Sequence, residues 1–73
     1  EFDLAELDYT KAIQLNPENA EIWFRRSLAR VSGDDFAGGL EDALMARKLG
    51  FEVEEEYIRG LTVEVLKDEL PQE

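Results

Sequence analysis

The residues best suited to bind another molecule are two arginines, Arg25 and Arg59, which stand 34 residues apart. Each follows a glutamate by four residues, Glu21 and Glu55 respectively. A guanidinium group donates two parallel hydrogen bonds to a carboxylate, so an arginine pair is suited to hold acidic groups of a partner. A glutamate four residues before an arginine on a helix also forms a local ion pair. The spacing leaves both interpretations open: a carboxylate-binding pair, or two self-satisfied ion pairs.

Other side chains give little support for catalysis or metal binding. The sequence contains no cysteine and no histidine, which removes the commonest catalytic bases and the commonest ligands of transition metals. Acidic clusters at 34–35 and 52–56 lack the alternating oxygen ligands and the glycine of a calcium-binding loop. A solvated surface and favourable charge at helix N-termini explain them. We therefore expect no enzymatic activity, no catalytic residues, no metal and no cofactor.

The overall charge limits the kind of partner. The 73 residues carry a formal net charge of −10, which disfavours nucleic acid and anionic membranes. A basic protein fits this charge, although acidity also serves solubility alone. No apolar run approaches the roughly 20 residues of a membrane-spanning helix. The absence of cysteine favours the cytoplasm without proving it, and the first residue, Glu1, predicts a piece excised from a longer protein.

Like residues recur along the chain at an offset of 34, a period typical of repeated helical units. The matching pairs are Phe2 with Phe36, Asp8 with Asp42, Ala12 with Ala46, Leu15 with Leu49, Glu21 with Glu55, Arg25 with Arg59 and Val31 with Val65. Conservative matches include Ala5 with Gly39 and Trp23 with Tyr57. The chain therefore contains an internal repeat.

Apolar residues also recur at helical spacing in four segments. These segments are 2–15, 20–32, 35–49 and about 53–69. Pro17 follows the first, Asn19 is suited to cap the second, Gly50 closes the third, and Pro71 bars extension of the last. Short connections between helices favour antiparallel neighbours. The sequence predicts an all-α fold without strands.

The same spacing predicts which side chains face inward. We expect Trp23 in the core, close contact of Gly39 with a neighbouring helix, and no comparable reason for Gly38. Leu4 and Leu7 lie away from the main apolar face of the first helix. In the last helix the inward residues are Val53, Tyr57, Ile58, Leu61 and Val65, with Leu66 at the edge of that face.

Segment 20–50 has an aromatic residue, small residues and a second aromatic residue in a recurring order. They are Trp23, Ser27, Phe36, Gly39 and Ala46. In this order they resemble one nearly complete repeat of the tetratricopeptide-repeat (TPR) family, whose unit is a helix–turn–helix of 34 residues. Segment 2–17 is similar to the second helix of a preceding repeat. The residues that carry this second likeness are Ala5, Tyr9, Ala12 and Pro17.

Three features depart from the family pattern. Arg26 and Arg30 stand where the family has an apolar and an aromatic residue, and we expect them to be exposed because the helix that would cover them is missing. Phe51 replaces the usual proline, and we expect Gly50 and Phe51 to make the turn instead. Gly60 and Leu61 reverse the expected large-then-small order, so segment 53–70 is either a degenerate first helix of a third repeat or, more in keeping with Pro71, a capping helix.

The resemblance implies an antiparallel helix–turn–helix solenoid fragment of four helices, an α-α superhelix forming one TPR-like domain over residues 1–73. First helices of successive repeats line a concave groove in this family. The groove-facing residues would be Glu21, Phe24, Arg25, Leu28, Ser32, Glu55, Ile58, Arg59 and Thr62. The implied function is a scaffold that binds a peptide or helix of a partner protein. Glu21 and Glu55 argue against acidic chaperone tails as the ligand.

An alternative function is structural. The fragment would be an end piece of a longer solenoid that packs on the rest of its parent protein or self-associates. Exposed Leu4 and Leu7 would then form part of a weak homodimer interface. Under either hypothesis we expect a protein or peptide partner, with neither nucleic acid nor membrane.

Overall fold

The computed structural model of the chain describes residues 2–69, with side chains from Leu4 onward. These residues form four α-helices and no strand, which confirms the predicted all-α fold class. The helices are α1 (Phe2–Leu15), α2 (Ala20–Ser32), α3 (Phe36–Lys48) and α4 (Glu55–Glu69). Within this range no helix is long and apolar enough to cross a membrane. The predicted stop at Pro71 lies outside the described residues, as does the side chain of Phe2.

The predicted helix bounds are close to the observed ones. The bounds of α1 and α2 agree with prediction, α3 is one residue shorter at each end, and α4 begins at Glu55 rather than near Val53. Each helix packs on its neighbours in chain order: α1 on α2, α2 on α3, and α3 on α4. The described residues therefore form a row of helices joined by short connections.

The end of α2 is a six-residue turn with an aspartate in a left-handed conformation. The Asp35 N–H donates to the Arg30 carbonyl over 2.8 Å, and the Asp34 N–H donates to the Val31 carbonyl over 2.9 Å. Asp34 has a φ of 68°. The predicted end of the second helix at residue 32 is confirmed, and Asp34, not Gly33, takes the position that glycine normally occupies in this turn.

The end of α3 uses the same turn with glycine in the left-handed position. Gly50 has a φ of 106°, and its N–H donates to the Arg47 carbonyl over 3.0 Å. The Phe51 N–H donates to the Ala46 carbonyl over 2.9 Å. The turn directs Phe51 back over the helices, and the expectation of a turn at Gly50 and Phe51 is confirmed.

Both adjacent glycines of α3 have a structural reason. The Gly38 N–H donates to Oδ1 of Asp35, which caps the helix, and a Cβ atom on Gly38 would collide with that carboxylate. A Cβ atom on Gly39 would lie 2.6 Å from Cγ2 of Val31 and 3.2 Å from the carbonyl oxygen of Ser27. Gly39 therefore allows α2 and α3 to approach closely, as predicted. At Gly38 the close atoms belong to the end of the Asp35 side chain, which can shift, so the constraint there is weaker than at Gly39.

A small apolar cluster joins α3 to α4. Its buried members are Ala43, Ile58 and Leu61. Partly buried side chains pack against them, namely Val31, Phe36, Leu40, Val53 and Tyr57. The predicted inward positions Val53, Tyr57, Ile58 and Leu61 are thus confirmed, whereas Val65 is partly buried and is not a member of the cluster. Leu66 is 51% exposed and does not belong to the inward face.

Arg26 and Arg30 are largely buried, so the prediction that they are exposed was wrong. Arg26 donates from Nε and Nη2 to the two carboxylate oxygens of Asp42 on α3, over 2.8 and 2.9 Å. Arg30 lies 3.3 Å from the same carboxylate. Asp42 is only 1% exposed. The two arginines face a buried carboxylate of α3. The expected exposure rested only on a missing neighbouring helix and did not consider α3 as the partner.

The same arginines also reach α1. Arg26 Nη1 donates to Thr10 Oγ1 over 3.1 Å, and Arg30 Nε donates to Glu6 Oε2 over 3.0 Å. We call the five side chains the arginine network: Glu6, Thr10, Arg26, Arg30 and Asp42. Among the described residues no buried side-chain nitrogen or oxygen lacks a hydrogen-bond partner. The network therefore joins three helices through fully satisfied polar groups.

The protonation of Arg26 follows from this geometry. Hydrogen bonding to Asp42 raises the pKa of Arg26 above its ordinary value, and outweighs the opposing effect of burial. A raised pKa in the folded state means that the native protein holds the proton more tightly than the unfolded chain. The resulting stabilisation, which depends on the Asp42 carboxylate, is lost as the pH rises through the raised pKa of Arg26.

Candidate functional site

A shallow depression lies beside α2, where part of the predicted groove is formed. Its lining residues are Glu21, Phe24, Arg25, Leu28 and Phe51, and its volume is about 260 Å³. The first four were predicted as groove residues and recur at intervals of three and four along one face of the helix. Leu28 is 44% exposed. The α2 half of the predicted site is therefore brought together.

Aromatic side chains form the apolar wall of this depression. The rings of Phe24 and Phe51 stack with centroids 4.9 Å apart, and the Tyr57 ring tilts against Phe24 at 5.4 Å. The Tyr57 hydroxyl lies 2.9 Å from the Ser27 hydroxyl, which donates to the Gly39 carbonyl. Phe24 is thus both a half-buried structural residue and a surface contact.

Phe51 is a site residue that the sequence reasoning did not identify. It was assigned only to the turn with Gly50, in place of the usual proline. The usable signal was its place directly after Gly50, because a hydrophobic residue in that position often folds back against the helix that has just ended. Recognition of this turn would have placed Phe51 near the groove.

The charged rim of the depression is an ion pair. Arg25 Nη2 lies 2.7 Å from Glu21 Oε2, and both side chains are about half exposed. The hydrogen bond to Glu21 raises the pKa of Arg25. On α2 the local pairing that the spacing allowed is therefore formed, and solvent screening makes such an exposed pair weak. A carboxylate of a partner would compete with Glu21 at little cost.

The α4 residues have a different arrangement. Glu55 lies 3.5 Å from Nη1 of Arg47 on α3, and not within ion-pair distance of Arg59. Arg59 is exposed and makes no salt bridge with another described residue. Ile58 belongs to the buried cluster instead of the surface. The two glutamate–arginine pairs that correspond in sequence therefore differ in structure. Glu21 pairs with Arg25, whereas Glu55 pairs with Arg47.

The remaining predicted residues lie apart from the depression. Thr62 Oγ1 donates to the Ile58 carbonyl one turn earlier on α4, over 2.8 Å. Ser32 is exposed at the last position of α2. None of the α4 residues predicted for the groove lines the depression beside α2. A ligand that used both halves would have to extend from this depression across Tyr57 toward Arg59.

A second and larger depression, of about 560 Å³, lies between α2 and α3. It is lined by Trp23, Arg26, Glu41, Asp42, Leu44, Met45 and Lys48. Trp23 is only partly buried, so its predicted place in the core was wrong. Its Nε1 donates to the Pro17 carbonyl over 2.8 Å, and the Arg26 guanidinium carbon lies 5.2 Å from its ring centroid. Trp23 thus covers the edge of the arginine network.

The two depressions have the same chemical character. Each presents apolar side chains with charged groups at the rim, and within residues 4–69 no group of three or more acidic side chains is placed to hold a metal ion. Comparison with protein-family models, with characterised proteins and with solved structures finds no match to this chain. The geometry and the sequence pattern therefore carry the functional argument.

Proposed function

We propose that this chain is a TPR-like interaction module that binds a peptide or helix of a partner protein on the surface formed by α2 and α4. The observation that carries the proposal is the depression lined by four predicted α2 residues together with Phe51. The apolar wall of the depression is complementary to an apolar side chain of a ligand. The exposed and weakly paired arginine beside it is complementary to a carboxylate of the same ligand.

The proposed architecture is a short α-α solenoid. Helices that pack in chain order and an internal period of 34 support it. In this interpretation α2 and α3 form one repeat, α1 is the second helix of a preceding repeat, and α4 is a degenerate or capping helix. The groove would then contain Phe24, Arg25 and Leu28 from one repeat and Arg59 from the next.

The ligand is a protein segment, and no catalytic step, cofactor or metal is part of the proposal. Arg59 is the freer of the two groove arginines, since Arg25 is held by Glu21. We therefore assign the stronger carboxylate contact to Arg59, outside the depression, a weaker one to Arg25, and the apolar contact to Leu28 and Phe51. The net charge of −10 favours a ligand whose remaining residues are neutral or basic.

Matched charge substitutions test this assignment. Leu28→Glu and Arg59→Glu alter the proposed surface, whereas Leu66→Glu and Lys67→Glu make the same chemical changes at exposed positions elsewhere on α4. Peptides are selected from a random display library on the immobilised wild-type chain, and their affinities for all four variants are measured by calorimetry. Circular dichroism verifies that each variant retains its helicity.

The proposal expects the selected peptides to lose about tenfold or more in affinity on Leu28→Glu and Arg59→Glu. The two control variants retain wild-type affinity. Peptides that bind all four variants equally would place binding on another face. Failure to select any peptide would remove the support for an interaction module of this kind.

The alternative role, as an end piece that packs on the rest of its parent protein or self-associates, concerns a different face. That face is the outer side of α1. Leu4 and Leu7 are exposed there, as expected from the sequence. A dimer through this face would set two strongly acidic chains against each other, which opposes self-association.

A further inference from the structure

The outer face of α1 is the same kind of surface that α3 buries against α2. The offset of 34 pairs Asp8 with Asp42, and on the helical wheel the neighbours of each aspartate also correspond. The flanking pairs are Ala5 with Gly39, Ala12 with Ala46 and Leu15 with Leu49. The same pattern of surface residues therefore occurs twice in the chain, once on α1 and once on α3.

On α3 this face is covered and its anion is neutralised. Asp42, Gly39 and Ala46 are buried. The cover is α2, which supplies Arg26 and Arg30, four residues apart, to the Asp42 carboxylate. A buried carboxylate requires such partners because an unpaired charge in a protein interior is strongly unfavourable.

On α1 the equivalent face is only partly covered, with Ala5 and Ala12 partly buried. Asp8 is exposed, and it forms no salt bridge with another described residue. Leu4 is 62% exposed and Leu15 is 88% exposed beside it. The α2 helix contacts the opposite side of α1, through Glu6 and Thr10. An apolar strip with one carboxylate at its centre thus faces away from the rest of the protein.

We propose that this face docks a partner helix of the same kind as α2, amphipathic and carrying two arginines four residues apart, which hold Asp8 as Arg26 and Arg30 hold Asp42. Charge complementarity selects this occupant over a second copy of the chain, because two copies would bring Asp8 and a net charge of −10 together from each side. The face is separate from the groove on α2 and α4.

The first test uses the chain's own α2 sequence as the probe. A labelled peptide of residues 20–32 is titrated with the 73-residue chain, and binding is followed by fluorescence anisotropy. Asp8→Asn removes the proposed anion, and Glu52→Gln removes one exposed charge elsewhere as a control. A second peptide carries Arg26→Gln and Arg30→Gln.

The proposal expects equal binding to the wild type and to Glu52→Gln, and about tenfold weaker binding to Asp8→Asn. The peptide with Arg26→Gln and Arg30→Gln, which keeps Arg25, binds weakly to every protein and does not distinguish Asp8→Asn from the wild type. Equal binding of the arginine peptide to wild type and Asp8→Asn overturns the proposal.

A covalent version removes the cost of ordering a free peptide, since isolated helices of this length are marginal. Residues 20–35 are fused directly before Phe2, which reproduces the connection between α2 and α3 because Phe2 corresponds to Phe36. We expect the extended chain to unfold at a higher urea midpoint than the original chain. We expect Asp8→Asn to remove most of this increase. The same substitution leaves the midpoint of the original chain unchanged.

An extended chain without an Asp8-dependent gain in midpoint overturns the proposal, whatever the free peptide does. Sedimentation of the original chain is the last check. Concentration-dependent dimers that Leu4→Ser abolishes would assign the face to a second copy and likewise overturn it. A monomer at all concentrations agrees with the proposal.

Discussion

The two sides of α3 are held by opposite kinds of interaction. Toward α2, the centre of the contact is the buried ion pair of Arg26 with Asp42. Toward α4, the contact is made by Ala43, Ile58 and Leu61 without charge. An apolar contact weakens in proportion to the surface lost, whereas an ion pair that loses one member leaves an uncompensated charge. On one side of α3 a truncated side chain therefore lowers the stability in proportion to the surface lost. On the other side the removal of one charged partner lowers it further, because a buried charge is left unpaired.

The largest expected effect is on the charged side. Arg26→Ala leaves the Asp42 carboxylate buried with only the longer contact from Arg30, and we expect a loss of about 3–5 kcal/mol in the free energy of unfolding. Urea denaturation followed by circular dichroism measures it. For a chain of this size the loss approaches the total stability, so partial unfolding without urea is expected.

The double substitution Arg26→Leu with Asp42→Ala is the control, because it removes both charges and keeps apolar volume. We expect it to be markedly more stable than Arg26→Ala. If the single and double variants were equally destabilised, the loss would reflect side-chain contacts and not an unpaired charge. The contrast between the two sides of α3 would then fail.

The apolar side is expected to give a smaller effect. Leu61→Ala removes most of a buried side chain from the cluster between α3 and α4, and we expect a loss of about 2–4 kcal/mol by the same measurement. Leu66→Ala on the same helix is the matched control and is expected to change stability by less than about 0.5 kcal/mol. Equal effects at Leu61 and Leu66 would contradict the assigned inward face of α4.

The smallest expected effect compares the ends of α2 and α3. Asp34 and Gly50 occupy the same left-handed position, which glycine adopts without strain. We expect Asp34→Gly to stabilise the chain by about 0.5–1 kcal/mol, and Gly50→Ala to destabilise it by about 1 kcal/mol, in thermal unfolding. A destabilising Asp34→Gly would mean that the aspartate side chain stabilises the turn by more than its strained backbone costs.

The helices were predictable because local rules fix them. Apolar spacing, Pro17 and the caps at Asp35 and Gly50 act within a few residues, so a one-dimensional pattern contains them. The arginine network was not predictable in this way. Arg26 is 16 residues from Asp42, and their encounter depends on which faces of α2 and α3 meet.

The candidate site likewise has one half that depends on local sequence and one half that depends on helix packing. Phe24, Arg25 and Leu28 were placed together correctly because they share one helix face. The α4 half depended on the rotation of that helix relative to α2. There the repeat suggested a Glu55–Arg59 pair, but Glu55 lies near Arg47, which is close only in three dimensions. A repeat in sequence predicts equivalent positions more reliably than equivalent contacts.

The position of Trp23 has a spectroscopic consequence. It is the only tryptophan in the chain, and its indole touches the turn before α2 and the rim of the arginine network. The fluorescence emission of Trp23 therefore reports on that region alone, whereas far-ultraviolet circular dichroism reports the average over every helix. Comparison of the two signals during unfolding distinguishes cooperative loss of all four helices from early detachment of α1.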